Sequence, residues 1–399
     1  MSGPLAGYRI IDMTTVIMGP MATMMLGEMG ADVIKIEAPV GDQTRNYAQA
    51  KNAGMGAIYL NLNRNKRSIV LDLKKPEGRD ALLRLLAGAD ALVYSIRPKA
   101  MQRLGLGYDE CRAVKPDLIY CGAYGFRQDG PYAARPAYDD IIQGLSGVAD
   151  NLSWVCGAPQ LLPFMGCDKT SGLYLVQAVM GGLLHRERTG EGQQIEVPMF
   201  ELSVHFNLME QIGGMVYVPQ HGEAGYVRAR LPNRKPFRTK DGYICILPGS
   251  TKHWQAFFRA VGRPELGEEP RITTPAIRYR STNELYALVA EIAAEWETEP
   301  LRALLDAADV PCGPVNRYED LPDDPHLKAV GYFKEVEHPT EGRLRVPDIP
   351  VRYMGSPGGQ QRLAPHLGEH SVELLREAGY DADTIARLVA DGVTVDGRR

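Results

Sequence analysis

The stretch from residue 8 to residue 37 constrains this chain more than any other. Residues 8–13, YRIIDM, read as a buried strand; 14–19 form a short loop. Pro20 stands where proline is favoured at a helix start, and MATMMLGEM continues as an apolar helix stopped at Gly30. Residues 32–37, DVIKIE, are the next strand. Two strands joined through a helix pair in parallel by a right-handed crossover, which opens an α/β sheet.

The alternation persists. Residues 68–73, 91–95 and 118–123 read as strands, and 76–86 as a helix with apolar residues at helical spacing. Residues 171–187 form a helix that is apolar on nearly all sides, expected to be buried all round, followed by a strand at 194–197. This predicts a Rossmann-like α/β large domain with a parallel sheet. Beyond it, 222–236 is basic and irregular, while a strand at 242–247 and helices at 253–261, 283–294 and 300–308 predict a smaller α+β domain. Residues 311–350 are Pro-rich and read as a returning connection; a helix at 371–378 closes the chain. The division expected is 1–200 for the first part of the large domain, 201–224 for a linker, 225–315 for the small domain, 316–350 for the returning linker and 351–399 for the rest of the large domain.

Charge narrows the partners. Forty-five Lys and Arg against 49 Asp and Glu leave a net charge of -4, too balanced for a chain whose main partner is nucleic acid or an anionic membrane. The N-terminus lacks the pattern of a signal peptide, and the apolar run 173–184 is too short and Gly-interrupted to span a bilayer, so a cytoplasmic location is expected. Six scattered cysteines without a CxxC pair argue against a zinc cluster or a disulfide framework.

Several patterns compete for function. The first βα turn, TTVIMGP, lacks the glycines that let a pyrophosphate approach a helix N-terminus, although Glu37 lies where a ribose-binding acid belongs; a nicotinamide dehydrogenase is disfavoured. His366-Leu367-Gly368-Glu369-His370 matches H-x-x-E-H, but Pro365 and Gly368 make it a loop entering a helix rather than one metal-binding face. Basic clusters at NRNKRS (63–68), Lys74-Lys75, Arg97-Pro98-Lys99 and Arg103 read singly as solvated surface, and jointly as a place for a phosphorylated ligand. Cys167 has no activating His nearby in sequence and reads as a small buried hydrophobe. Asp168, in FMGCDKTSGLY, suits a helix N-cap with Ser171 at the third helical position. Capping and chemistry are compatible, because helix N–H groups favour an anion and can stabilise an adjacent oxyanion.

Taken together, LAGYRIIDMTTVIMGPMATMMLGEMGADVIKIEAPVGD, NRNKRSIVLDLKKPEGR, ALVYSIRPKAMQRLGLGYD, AYDDIIQGLSG, CDKTSGLY with RTGEGQQIEVPMFE, VPCGPVN and APHLGEHS resemble the class III CoA-transferases (CaiB/BaiF), the family of formyl-CoA transferase and carnitine CoA-transferase. The resemblance runs over nearly the whole chain. It implies that Asp168 is a nucleophile, attacking an acyl-CoA thioester to give an aspartyl-acyl anhydride and CoA thiolate, then carrying CoA as an aspartyl thioester to an acceptor acid. An ordinary carboxylate, with a pKa of about 3.9, needs no base for that role. The resemblance further implies acyl-CoA and carboxylic acid as substrates, no metal or redox cofactor, and an interlocked, ring-like homodimer. It assigns CoA contacts to Thr15, Val16, Ile17, Met18, Leu71, Lys74, Ile96, Arg97, Arg103 and Tyr138.

The chain departs from formyl-CoA transferase at Thr15, Ile17 and Ala38. It also lacks a glycine run within 222–240, which holds Arg228, Arg230 and Arg234 instead. That points to an acid larger than formate or oxalate, such as a dicarboxylate whose second carboxyl meets one of those arginines. Two alternatives share the scaffold. An α-methylacyl-CoA racemase would carry a His where this chain has Tyr138, a poor base at neutral pH. A non-catalytic acyl-CoA-binding protein would use Asp168 only as a cap, yet Gly166 and Gly172 are expected to leave a thioester room to approach.

Overall fold

The computed structural model describes residues 2–397. Six parallel strands, β1 (Arg9–Met13), β2 (Asp32–Glu37), β3 (Lys66–Val70), β4 (Ala91–Tyr94), β5 (Ile119–Tyr124) and β6 (Gln193–Pro198), form one sheet in the order β3-β2-β1-β4-β5-β6. This is the doubly wound Rossmann order, whose direction reverses between β1 and β4. Alternate strand residues feed opposite faces. Ile11 joins the apolar layer containing Leu82, Leu85 and Leu374. Ile10 joins the layer built by the helices Met18–Glu28 and Gly166–Thr189. Each fully buried aliphatic side chain of this kind stabilises the fold by about 1.5–3 kcal/mol.

The chain forms two compact units. One comprises 1–149, 161–207 and 328–399; the other comprises 150–160 and 208–327. The second has its own core of Trp254, Phe257, Phe258, Leu285 and Val289 against a three-stranded antiparallel sheet, β7 (Phe237–Arg238), β8 (Tyr243–Ile246) and β9 (Cys312–Pro314).

Several local expectations need correction. The segment 201–224 is not plain linker, because the helix Met199–Gln211 starts straight after Pro198. The returning stretch 316–350 folds into the hairpin β10 (Phe333–His338) and β11 (Gly342–Pro347), and a further helix, Ala382–Ala390, follows Ser371–Glu377. The helix Gly166–Thr189 buries one face and leaves Leu173 and Leu184 more than half exposed, so its apolar circumference is not all buried in one chain.

The NRNKRS cluster is structural. Arg64 pairs with Glu28, Lys66 with Asp12, and Arg67 with Asp32, Glu373 and Glu377, all three cations being nearly or fully buried. Glu37 is likewise buried and engaged by Arg45 and Ser68, which rules it out as a free ribose-binding acid.

Asp12 is the centre of this buried polar layer. Its carboxylate accepts from Lys66 Nζ at 3.0 Å, Thr23 Oγ1 at 2.7 Å, and the Thr14 N–H and hydroxyl at 2.9 and 2.5 Å. Burial alone would raise the Asp12 carboxyl, but the Lys66 and Lys35 cations outweigh it and hold it down to about 2. Removing one partner of such a group leaves an uncompensated buried charge. Asp12→Ala is therefore expected to cost about 3–5 kcal/mol in urea unfolding at neutral pH. A loss below about 1 kcal/mol would show that the pairing contributes no more than a surface ion pair.

Candidate active site

In a parallel sheet all strands point their C-terminal ends to one edge, and ligands bind there, at the place where the strand order reverses. The loop after β1 lies at that reversal. Lys35 Nζ holds the Thr14 carbonyl at 2.9 Å and the Asp42 carboxylate at 3.0 Å, while Asp42 Oδ1 accepts from Val16 N–H at 3.4 Å. Val16 takes φ 73°, an unfavourable conformation for a β-branched residue, and such strain persists only where the surroundings impose it.

Neighbouring loops are stitched to this one. Thr15 N–H donates to Ser95 Oγ at 3.2 Å, joining the loops after β1 and β4. Arg97 Nη1 donates to the Ala134 carbonyl at 3.3 Å, joining the loops after β4 and β5. The helix Asp139–Leu145 follows, and Asp139 Oδ1 accepts from Asp168 N–H at 2.8 Å. A hydrogen-bonded path thus leads from the β1 loop to the start of the helix that carries Asp168.

Asp168 is not the N-cap. Met165 holds that position, and Asp168 is the third helical residue, with the buried Asp139 side chain serving the orphan N–H. Asp139 is itself held: Gln143 Nε2 donates to its other oxygen, and Gln143 Oε1 accepts from Leu162 N–H at 2.8 Å. Among the described residues no group donates to the half-buried Asp168 carboxylate. Burial and the neighbouring Asp139 and Asp140 carboxylates push it up to about 7, far from the ordinary value assumed on sequence grounds.

The two glycines flanking Asp168 differ in what surrounds them. A Cβ on Gly172 would lie 2.5 Å from Met21 Cε and 2.9 Å from the Met18 carbonyl; one on Gly166 would meet Leu162 at 2.8 Å. Close packing against the helix Met18–Glu28 needs Gly172, whereas Gly166 faces side chains of the loop just before its own helix. Cys167 is buried in the apolar layer, and burial pushes its thiol up, as expected of a bystander.

The residues expected to contact CoA divide by exposure. Thr15, Lys74, Arg97, Arg103 and Tyr138 are exposed, and Val16, Ile17 and Ile96 are half-buried. All follow the C-terminal ends of β1, β3, β4 or β5. Met18 and Leu71 belong to the core, so their side chains are turned to packing and only their backbones are available. Asp139 and Gln143 were not singled out from the sequence. Their i,i+4 spacing in YDDIIQ was the available signal.

His366, Glu369 and His370 share no helix face; Glu369 accepts from His366 N–H, and His370 precedes the helix Ser371–Glu377. His366 instead joins His338 and Glu341, with ligand-type atoms within 4.8 Å of one another. The Thr340 hydroxyl bonds both His366 Nε2 and Glu341 Oε1 at 2.8 Å, occupying the middle of the group.

A family model for CoA-transferase family III matches residues 5–371. The chain belongs to CoA-transferase family III. The human succinyl-CoA:glutarate CoA-transferase is 32% identical over 394 residues, covering 98% of this chain and 90% of that one. An Escherichia coli formyl-CoA:oxalate CoA-transferase is 30% identical, covering 97% and 99%. The crystal structure of a CAIB/BAIF family protein from Brucella suis superposes with a TM-score of 0.81 at 30% identity, over 95% of this chain and 100% of that one. This family III chain thus carries a half-buried carboxylate in the first turn of a helix, flanked by the carboxylates of Asp139 and Asp140.

The sign of the Asp168 shift is testable. Its folded pKa lies above the unfolded value of about 3.9, so the ionised group weakens the fold fully above about pH 7 and not at all below about pH 4. Asp168→Asn should be more stable than the parent by about 1–2 kcal/mol near pH 8, the partial exposure damping the full linkage value. The difference should vanish near pH 4. Equal denaturation midpoints at the higher pH would contradict the raised value.

Proposed function

We propose that this family III chain moves CoA from an acyl-CoA to a dicarboxylic acid, with Asp168 as the nucleophile. The observation that carries the reading is the Asp168 carboxylate itself: half-buried, free of donors, and backed by the Asp139 charge at a helix start. Family membership supports CoA transfer to a carboxylic acid. The relatives named for succinyl-CoA and glutarate support a dicarboxylate on either side of the exchange.

Asp168 Oδ attacks the thioester carbonyl; the C–S bond breaks and CoA leaves as thiolate, giving an aspartyl-acyl anhydride. The thiolate then attacks the aspartyl carbonyl and the donor acid departs as carboxylate, leaving aspartyl-CoA. The acceptor carboxylate attacks that thioester, and the returning thiolate cleaves the new anhydride at the acceptor carbonyl, restoring Asp168. Each step exchanges one anion for another, so no proton need be moved. In this reading N–H groups at the start of the helix Gly166–Thr189 stabilise the oxyanions, apart from that of Asp168, which Asp139 holds. Loss of solvation makes the carboxylate a stronger base and a better nucleophile, at the cost of protonation near pH 7.

In this reading CoA lies along the sheet edge. Lys74 and Arg97, exposed just past β3 and β4, and Arg103, exposed at the end of the helix Pro98–Arg103, meet its phosphates, and the loop 15–17 receives the nucleotide. No metal or redox cofactor takes part. A second copy of the chain, covering the apolar face that displays Leu173 and Leu184, would complete a homodimer. Among the described residues no helix is long and apolar enough to cross a membrane, and a cytoplasmic enzyme fits this reading.

Incubation with succinyl-CoA and glutarate should place CoA on the peptide containing Asp168, seen by mass spectrometry after rapid quenching. Asp168→Ala should lose about 1000-fold or more in kcat, the scale expected when a covalent nucleophile is removed. Transfer that persists in that variant defeats the mechanism. Because only the ionised form attacks, kcat/KM should climb about tenfold per pH unit below pH 7 and level off above it. A rate already flat from pH 5 upward would place the nucleophile elsewhere.

A further inference from the structure

The smaller unit holds a cavity of about 440 Å³, within the range of small-molecule sites. Phe237, Ile246 and Leu247 supply an apolar wall, while Arg228, Arg234 and Lys235 bring three cations and no acidic side chain lines it. Among the described residues no carboxylate pairs with any of the three, whereas the buried arginines and lysines of the α/β unit are all paired. Uncompensated like charges on one cavity repel one another, so an arriving anion is favoured.

The three arginines in this segment are not equivalent. Arg230 is committed within its own unit: its guanidinium stacks 3.7 Å over Trp154, donates to the Ala224 carbonyl and pairs with Glu223. Arg228 donates from Nε to Tyr286 OH at 3.0 Å and also bonds the Tyr226 side chain, two neutral phenols that fix the guanidinium and leave its charge without a carboxylate partner. Arg234 and Lys235 are exposed. A planar guanidinium fork held by its Nε suits a carboxylate, and the apolar wall suits a short hydrocarbon body.

We infer that this cavity is a binding site for a short-chain carboxylic acid, with Arg228 and Arg234 meeting its carboxylate and the Phe237–Leu247 wall covering its methylenes. The choice of a carboxylate over a phosphate rests on the CoA-transferase reading; the site itself stands on the cavity and its unpaired cations.

Cys245 lines the same cavity and is exposed, which supplies a readout independent of transfer. In the full-length protein, iodoacetamide labelling of Cys245 is followed by peptide mass spectrometry, with exposed Cys156 as internal control. Glutarate at about ten times its Kd should slow Cys245 labelling about tenfold and leave Cys156 unchanged. The protection should weaken in Arg234→Gln, whose side chain has no ion-pair partner to lose, and disappear when Arg228→Gln is added. Unchanged labelling at saturating glutarate overturns the site. Protection by adenosine 3′,5′-bisphosphate but not by glutarate overturns the carboxylate assignment, and protection that survives both substitutions overturns the role of the arginines. No acyl-CoA is present, so loss of CoA transfer with protection intact would refute the transferase reading and leave this site standing.

Discussion

Asp12 is completely buried, and the arrangement of the sheet edge depends on how its charge is met. Four donors converge on it from β3, the first helix and the loop after β1. Lys66 extends the layer to the Pro20 carbonyl and Asn63, and Lys35 ties the Thr14 carbonyl to Asp42. A buried layer of this kind adds little net stability compared with an apolar one, but it penalises every arrangement that leaves a charge unpaired. The result is one conformation for residues 14–18, including the strained Val16, at the position where the strand order reverses.

The same physics acts with opposite sign on Asp168. Asp12 is buried among cations and its carboxyl is held down; Asp168 is partly buried beside carboxylates and its carboxyl is pushed up. Both lie on one continuous scaffold, because Gly172 lets the helix that carries Asp168 pack against Met18 and Met21 of the helix that follows β1. Backbone rigidity at one end therefore supports a poorly compensated charge at the other. Asp139 performs two tasks at once, holding the helix N–H and presenting the repelling charge.

Much of the sheet was legible because its signals are local. DVIKIE coincides with β2, and the helix expected at 76–86 ends one residue later than read, since buried strands and amphipathic helices repeat their apolar residues over a few positions. The hairpin Phe333–Pro347 was missed because its strands mix charged and apolar residues between prolines. Charge was misread where partners are remote. Arg67 and Lys66 look like surface cations in NRNKRS, yet their acids lie 310 and 54 residues away in the chain. Asp168 looked like an ordinary carboxylate because Asp139 stands 29 residues before it.

By itself the sequence determined the strand–helix alternation that opens the α/β sheet and, through motifs spread over nearly the whole chain, membership of CoA-transferase family III. Periodicity and motif order are properties of neighbouring residues, so they survive without coordinates. Only the tertiary structure decided which cations are consumed internally, which of Arg228, Arg230 and Arg234 remain open, and that Asp168 titrates near 7. Coulomb energy and desolvation depend on distance and burial in space, and separation along the chain carries almost no information about either.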